Sequence, residues 1–186
     1  MRIIGGRYGG TPLAAPRGQA TRPTGARIRE ALFSILEAQV RLDGMRVMDL
    51  FAGTGAMGLE ALSRGAAFCL FVDDAPDARG LIRTNCETLG VMGQSKVYRR
   101  DATRLGTRPA PSGPPFDVVL ADPPYGKALA ENALAAARSG DWLTPDACCV
   151  VEEDIRARFA APDGFLITDR RRYGDTELIF LRLEAG

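Results

Sequence analysis

Four consecutive residues past the middle of the chain could do chemistry on an amine. Asp122, Pro123, Pro124 and Tyr125 follow an apolar run that is typical of a buried strand. The two prolines remove two backbone N–H donors, so carbonyl oxygens of the turn can point at a ligand. The Asp122 carboxylate and the Pro123 carbonyl could each accept one N–H of a nucleobase amine and aim its lone pair at a methyl group. Tyr125 could stack on the base, which is worth roughly 1–3 kcal/mol.

A glycine-rich segment upstream has the spacing of a cofactor-binding turn. Residues 53–58 read Gly-Thr-Gly-Ala-Met-Gly and match GxGxxG between a predicted strand and a predicted helix. Glycines let the backbone turn sharply and approach a ligand, and the following helix N-terminus favours a charged group. We therefore predict that Gly53, Thr54 and Gly55 bind a cofactor. The pattern alone does not separate dinucleotide dehydrogenases from methyltransferases.

Three carboxylates stand where a cofactor needs hydrogen-bond acceptors. Asp49 lies in the first predicted strand, four residues before Gly53, where it suits a cationic amino group and a sulfonium better than a pyrophosphate. Asp73 lies 20 residues after Gly53, the expected place for a carboxylate that binds ribose hydroxyls. Asp101 ends the third predicted strand and could accept a hydrogen bond from an adenine amine, with the Ala102 amide beside it. The alternative for Asp101 is a helix cap.

The elements around these residues alternate between strand and helix, which predicts an α/β fold with a mostly parallel, doubly wound sheet. The predicted strands are Arg46–Ala52, Phe68–Asp73, Lys96–Arg100, Phe116–Ala121 and Cys148–Glu152. The predicted helices are Thr24–Gln39 with Thr24 as its cap, Leu59–Ser63, Asp77–Leu89 and Ala128–Ala137. Phe165–Arg171 and Thr176–Leu183 predict a C-terminal antiparallel hairpin. Ile3–Leu13 predicts a small hairpin or an extended arm.

Composition excludes several classes of protein. A chain of 186 residues fits one domain. It has no histidine, which excludes Ser-His-Asp and Cys-His catalysis. Its four cysteines form no CxxC pair, so we expect no metal site and reduced, mostly buried thiols. No apolar run is long enough to cross a membrane, and the N-terminus lacks a signal peptide. We therefore expect a cytoplasmic protein with no membrane contact.

Positive charge is concentrated at the front of the chain. Residues 1–36 hold six arginines and one glutamate, although the net charge of the whole chain is only +1. Such local clusters can bind phosphate backbones. The alternative is an ordinary solvated surface. We predict a single domain in which residues 1–40, an arm and a helix, face a nucleic acid and residues 41–186 form the catalytic part. The candidate nucleic-acid contacts are Arg7, Arg17, Arg22, Arg27 and Arg29.

Together these segments resemble a known family. Residues 49–55 (Asp-Leu-Phe-Ala-Gly-Thr-Gly) and 122–125 are similar to the cofactor and catalytic motifs of S-adenosylmethionine-dependent amino-methyltransferases. More narrowly, the chain resembles the bacterial RsmD family of ribosomal RNA guanine-N2 methyltransferases. That similarity is carried by Arg2-Ile3-Ile4-Gly5-Gly6, Arg22-Pro23-Thr24, Arg27-x-Arg29-Glu30-x-Leu32-Phe33 and Tyr173-Gly174-Asp175-Thr176.

The resemblance implies a Rossmann-like class I methyltransferase fold with a seven-stranded sheet. It implies methyl transfer from S-adenosylmethionine to N2 of one guanine in 16S rRNA, within an assembled or partly assembled small subunit. It adds Phe51 to the cofactor-binding residues and leaves open whether Asp73 or Asp74 holds the ribose. We expect a monomer.

Other readings of the sequence stay open. The enzyme could methylate another amine, in a different RNA, in DNA or in a protein amide, although 186 residues leave no space for the added domain of DNA enzymes. Protein glutamine methyltransferases usually carry Asn where Asp122 stands. An NAD-dependent dehydrogenase would explain GxGxxG but neither the Asp-Pro-Pro-Tyr turn nor the arginines. A non-catalytic RNA-binding assembly factor is the remaining alternative.

Overall fold

A computed structural model of the chain describes residues 1–16, 23–124 and 127–184. Within these residues seven strands form one sheet in the order β3-β2-β1-β4-β5-β7-β6. They are β1 (Arg46–Leu50), β2 (Phe68–Val72), β3 (Ser95–Tyr98), β4 (Phe116–Ala121), β5 (Leu143–Asp154), β6 (Phe165–Tyr173) and β7 (Thr176–Leu183). Strands β1–β5 are parallel, and β7 pairs antiparallel with β5 and β6. The predicted mostly parallel sheet with a C-terminal antiparallel hairpin is confirmed.

Helices cover both faces of the sheet. The helices of the described residues are α1 (Pro23–Gln39), α2 (Ala56–Ser63), α3 (Pro76–Leu89) and α4 (Leu129–Ser139). Because successive strand residues point to opposite faces, β1 and β4 each contribute side chains to two hydrophobic cores, one on each face of the sheet. Val47 and Val118 pack in the core that contains side chains of α1, α2 and α3. Met48 and Val119 pack in the core that contains α4.

Some predicted boundaries are wrong by a few residues. Helix α1 begins at Pro23, so Thr24 lies inside the helix and is not its cap. Proline suits the first helical position because the N–H that it lacks has no partner there. Strand β5 begins at Leu143 rather than Cys148, because Leu143 already pairs with Phe116 before a register shift in β4. Strand β3 ends at Tyr98, before the predicted end at Arg100.

The N-terminal arm, which we define as residues 1–16, forms a small hairpin, as one of the two alternatives predicted. An antiparallel bridge joins Arg2 to Pro12, and the N–H of Leu13 donates to the carbonyl of Met1 at 3.0 Å. The side chains of Ile3 and Leu13 are buried in the same core as α1 and α2. The arm is therefore packed onto the sheet domain.

A buried carboxylate on α2 fixes the arm. Glu60 is fully buried and accepts hydrogen bonds from the backbone N–H groups of Ile4 and Gly5, each at 2.8 Å. Its charge is balanced by Arg64, whose Nε lies 2.9 Å from Oε1, and by Arg29, whose Nε lies 3.8 Å from Oε2. A buried charge that is paired and hydrogen-bonded in this way avoids most of its desolvation cost.

The order of the strands predicts where a ligand binds. The chain runs outward from β1 to β2 and β3, then returns to the other side of β1 with β4. In open α/β sheets ligands bind beyond the carboxyl ends of the strands at such a switch point.

All four cysteines are buried and free. Among the described residues, no helix is long and apolar enough to cross a membrane, and no group of three or more side chains could hold a metal ion.

Candidate active site

The turn after β1 is built from left-handed backbone conformations. Phe51 has φ 58°, Gly53 has φ 56° and Gly55 has φ 77°. Such values are strained for a side chain as large as that of Phe51, and strain of this kind clusters at functional sites. Helix α2 begins at Ala56 directly after this turn, so its first N–H groups lie beside the predicted cofactor residues.

Asp49 supports the turn from below. Its side chain is buried, and its Oδ2 accepts a hydrogen bond from the N–H of Gly58 at 2.8 Å. A Cβ on Gly58 would come within 2.4 Å of Phe71 and 2.5 Å of the Cys69 sulfur, so only glycine fits this close approach of helix and strand. Burial raises the pKa of Asp49, the Gly58 hydrogen bond lowers it in part, and the charges of Asp122 and Asp73 raise it further.

Asp73 joins the carboxyl ends of β1 and β2. Its Oδ2 accepts from the N–H of Gly53 at 2.8 Å, and its Oδ1 accepts from the N–H of Ala75 at 2.9 Å. The neighbouring Asp74 is exposed, and none of the described hydrogen bonds uses its carboxylate. Asp73 is thus the carboxylate that contacts the glycine turn, which favours it over Asp74 as the predicted ribose ligand.

Asp101 caps a short helical turn. It follows β3, and its Oδ1 accepts from the N–H and the hydroxyl of Thr103 at 2.8 and 2.7 Å. These two hydrogen bonds hold the pKa of Asp101 below its ordinary value. Ala102 is the first residue of that turn, and its side chain is buried. The contacts of Asp101 are those of a helix cap, which was the alternative role. Adenine binding by Asp101 and Ala102 stays a prediction.

Asp122 follows the buried end of β4. Pro123 is buried, Asp122 and Pro124 are exposed, and the predicted catalytic residue Tyr125 lies outside the described residues. Asp122 lines an open cleft. Desolvation by the surrounding protein is the first cause that raises its pKa to about 6, and the charge of Glu153 is the second. A carboxyl group with this pKa titrates close to neutral pH.

Glu152, which sequence analysis missed, lies beside Asp122. Strands β4 and β5 are paired in parallel with Ala121 opposite Val151, so the next residue on each strand is a carboxylate. Burial raises the pKa of Glu152 to about 8, the charge of Asp122 adds to the rise, and the charge of Arg29 opposes it. An acidic residue at the end of a predicted strand was the available signal.

Several of these residues line one large cleft of about 1220 Å³. Its volume exceeds the range of about 300–1,000 Å³ that is usual for a single small ligand. Of the predicted site residues, the cleft brings together Asp49, Phe51, Gly53, Thr54 and Asp122 with Arg29, which was predicted to bind RNA. It adds Glu152. The lining does not include Gly55, Asp73, Asp101, Ala102, Pro123 or Pro124. The apolar part of its wall comes from Phe51, Met57, Pro76 and Leu81.

The N-terminal arm forms one side of the cleft, through Met1, Arg2, Ala15 and Pro16. Asn85 on α3 ties the arm to the cofactor turn. Its Oδ1 accepts from the N–H of Ala14 at 2.7 Å, and its Nδ2 donates to the carbonyls of Ala14 and Thr54 at 3.1 and 2.9 Å. Sequence analysis gave no reason to select Asn85, because its three contacts depend on how distant segments pack.

The predicted RNA-binding arginines differ in their surroundings. Arg7 and Arg27 are exposed, and the Arg7 guanidinium lies 5.4 Å from the centre of the Tyr8 ring. Arg17 and Arg22 lie outside the described residues. Arg29 is only 8% exposed, and its Nη2 donates to the carbonyl of Arg2 at 2.7 Å. This corrects the prediction for Arg29: buried against Glu60 and the arm, it anchors α1 instead of facing a phosphate backbone.

Comparison with known proteins identifies the family. The family described as "Conserved hypothetical protein 95" matches residues 1–182. The chain belongs to this family. Members similar to it include the Escherichia coli (strain K12) protein named "Ribosomal RNA small subunit methyltransferase D", 37% identical over 83% of this chain and 75% of that protein. YlbH of Bacillus subtilis (strain 168) is 35% identical over 95% of both chains. The resemblance to the RsmD family is confirmed.

Solved structures agree with the family assignment. The chain is similar to yhhF of Escherichia coli with a TM-score of 0.83 and 28% identity, covering 100% of this chain and 99% of the other. It is similar to HI0767 of Haemophilus influenzae with a TM-score of 0.79 and 27% identity, covering 98% of both. The predicted Rossmann-like methyltransferase fold is confirmed, and the fold together with the methyltransferase relatives implies S-adenosylmethionine as the cofactor.

The cleft of this family member fits such a cofactor. Its lining holds the carboxyl groups of Asp49, Asp77, Asp122 and Glu152, which can accept hydrogen bonds from an amino group, and two arginines, Arg2 and Arg29. A Cβ on Gly53 would meet no protein atom closer than 3.9 Å, so the glycine leaves open space over the turn. The apolar wall can cover an adenine ring. The hydrogen-bond acceptors and the shape of the cleft therefore both suit S-adenosylmethionine.

Proposed function

We propose that this protein transfers a methyl group from S-adenosylmethionine to the N2 amine of one guanine in 16S rRNA of the small ribosomal subunit. The observation that carries the proposal is the position of Asp122, which directly follows β4 and lines the same cleft as the glycine turn. A group that accepts hydrogen bonds from an amine thus lies beside the predicted cofactor site. Relatives named "Ribosomal RNA small subunit methyltransferase D" support the choice of RNA.

The cofactor site combines the residues of three strand ends. We assign cofactor binding to Asp49, Phe51, Gly53, Thr54, Gly55, Asp73, Asp101 and Ala102. Asp73 would bind the ribose hydroxyls while it holds the turn through Gly53. Asp49, whose Oδ2 is used by Gly58, would present its other oxygen to a cationic group. S-adenosylmethionine supplies the methyl group as a substituent of its sulfonium.

The turn after β4 would orient the amine. The nitrogen lone pair of guanine N2 is delocalised into the ring and is a poor nucleophile. If Asp122 and the Pro123 carbonyl each accept one N–H, the nitrogen becomes more tetrahedral and its lone pair points at the methyl group. The nitrogen loses one proton during transfer, and a carboxylate with a pKa of about 6 can take it. The rigid Pro124 and a base-stacking Tyr125 would complete this site.

The arginine-rich front of the chain would bind the RNA backbone. Arg7 and Arg27 are exposed, and we include Arg17 and Arg22 in the same surface. Residues 1–40 would face the RNA as part of one domain with residues 41–186. The substrate would be the small subunit or its assembly intermediate, and the protein would act as a cytoplasmic monomer.

Transfer of labelled methyl from S-adenosylmethionine tests the proposal. The substrates are small subunits from a strain that lacks this gene, naked 16S rRNA and total cell protein, and labelled RNA is digested to nucleosides. We expect label in N2-methylguanosine from the subunits. Label in another nucleoside or in protein would mean that the protein is an amino-methyltransferase with a different substrate, and the proposed guanine in 16S rRNA would be wrong. Absence of label from all three, with the cofactor bound, would favour a non-catalytic binding protein.

A further inference from the structure

Two carboxylates meet at the carboxyl end of the central parallel strands. Ala121 on β4 pairs with Val151 on β5, and Asp122 and Glu152 follow them. Neighbouring strands lie about 4.8 Å apart, and residues in register point to the same face. Both residues line the cleft. The register therefore sets their side chains next to each other at the end where the amine must bind.

Both carboxylates are open to a ligand. Among the residues that the structure describes, no hydrogen bond and no ion pair holds the carboxylate of Asp122 or of Glu152. By contrast, Asp49 accepts a hydrogen bond from Gly58, and Asp73 accepts one from Gly53. Asp122 is exposed and Glu152 is half-buried, and both line the cleft. Their carboxylate oxygens can therefore accept hydrogen bonds from a substrate that enters it.

Arg29 supplies the charge that such an acidic pair needs. It lines the same cleft, and its Nε is buried without a hydrogen-bond partner. Its positive charge favours the ionised form of Glu152, which is the form that accepts hydrogen bonds through both oxygens. Since Arg29 is fixed by the carbonyl of Arg2, its charge stays near Glu152.

Two neighbouring acceptors match one nucleobase better than the others. On its pairing edge guanine presents two adjacent donor groups, N1–H and the N2 amine. Adenine and cytosine present one amine beside a ring nitrogen that carries a lone pair, which a carboxylate repels. A site built to pair with a particular donor rejects analogues that lack it much more strongly than an apolar pocket does.

We propose that Glu152 determines base specificity by accepting the N1–H of the target guanine while Asp122 accepts an N–H of its N2 amine. The inference rests on the proposed function, because it assumes that a guanine enters this cleft. Glu152 acts here as a positioning residue: it fixes the edge of the base, so that the amine meets Asp122. The charge of Arg29 opposes the rise in the pKa of Glu152, and a hydrogen bond from N1–H would favour the ionised form further.

The test compares two bases at the nucleotide that the wild-type enzyme labels. Small subunits are assembled with guanine or with 2-aminopurine at that nucleotide; 2-aminopurine keeps the amine but has a lone pair at N1. The variants are Glu152→Gln, Glu152→Asp and the control Asp146→Asn. Asp146 is exposed at the other end of β5, so its substitution removes the same charge away from the cleft. The readout is the ratio of kcat/KM for the two substrates.

We expect the wild type and Asp146→Asn to prefer guanine by at least about 100-fold. Glu152→Gln can donate its amide N–H to N1 of 2-aminopurine, so its preference should fall about 10- to 100-fold. Glu152→Asp should keep the preference for guanine. An unchanged S-adenosylmethionine Kd in Glu152→Gln shows that the variant is folded.

Two results would overturn the inference. If Glu152→Gln has the same ratio of kcat/KM for guanine and 2-aminopurine as the wild type, Glu152 does not recognise the base. The proposed function would still stand. A wild-type enzyme that labels no guanine in the subunits would overturn the proposed function and the role of Glu152 with it.

Discussion

The Oδ2 atom of Asp73 lies 2.8 Å from the backbone nitrogen of Gly53. One side chain at the end of β2 thereby holds the turn that follows β1, across 20 residues of sequence. The second oxygen of the same carboxylate accepts from Ala75, so the two loops at the cofactor end of the sheet are fixed to each other. The cofactor turn is therefore shaped by a residue that we also expect to bind the cofactor.

Asp73→Ala should weaken S-adenosylmethionine binding by about tenfold or more, since hydrogen bonds to a charged group contribute about 1.5–3 kcal/mol. Equilibrium titration of the cofactor measures this. Asp74→Ala is the matched control, because Asp74 is exposed and adjacent, and its Kd should stay within about threefold of wild type. The opposite order of effects would assign the ribose to Asp74.

Glu152 makes stability depend on pH in a defined direction. Its pKa is raised from 4.5 to about 8, so between these values the folded state holds a proton that the unfolded state has lost. The free energy of unfolding must then fall as pH rises through this window. Glu152→Gln should be more stable than wild type at pH 8–9, by roughly 1–3 kcal/mol, and should lose this advantage at pH 5.

Denaturant unfolding at the two pH values measures the difference. Asp146→Asn serves as the control, since it removes an exposed carboxylate from the same strand, and it should show no such dependence on pH. If Glu152→Gln is destabilised equally at both pH values, the carboxyl group is not held protonated by its surroundings.

Asn85 should keep the N-terminal arm closed. Asn85→Leu leaves the N–H and carbonyl of Ala14 and the carbonyl of Thr54 without their present partner. We expect a loss of about 2–4 kcal/mol in unfolding free energy and faster hydrogen exchange at the amides of Ile3 and Leu13. Arg83→Ala, at an exposed position of the same helix, should change neither. Unaltered exchange in Asn85→Leu would mean that the other contacts of the arm, including those of Glu60 and Arg29, hold it without Asn85.

The exposed arginines should account for the salt dependence of subunit binding. Each phosphate contact that is lost reduces the slope of log K against log salt by nearly one. We expect Arg7→Ala and Arg27→Ala to bind subunits more weakly and with a flatter slope. Arg138→Ala, at an exposed position on α4 across the sheet, should bind like wild type. Equal slopes in all four proteins would locate the RNA on another surface.

Much of this site could be predicted from local sequence. The position of Asp49 inside β1, the glycine turn that follows it, and the positions of Asp73 and Asp122 after their strands follow from apolar runs, turn residues and fixed spacing. Parallel strands bring their carboxyl ends to one edge of the sheet, so predicting the strands was enough to gather these residues. The fold class followed from the same alternation.

The rest depends on how the elements pack. Glu152 enters the site only because β5 is the neighbour of β4, and strand order is not encoded in spacing. The burial of Arg29 depends on Glu60, which lies 31 residues further along the chain and on another helix. Asn85 binds two segments that are distant in sequence. A charge cluster read from sequence cannot separate Arg29, which is buried, from Arg27, which is exposed.

The most direct test of the account is single-turnover methyl transfer to small subunits by the wild type and by Asp122→Asn, measured together with the S-adenosylmethionine Kd. Asn keeps the size of the side chain and removes its charge. We predict that formation of N2-methylguanosine falls at least about 100-fold, as is usual when a group that orients or takes a proton is lost, while the Kd stays within about threefold. A rate within about threefold of wild type would contradict the central claim that Asp122 activates the amine.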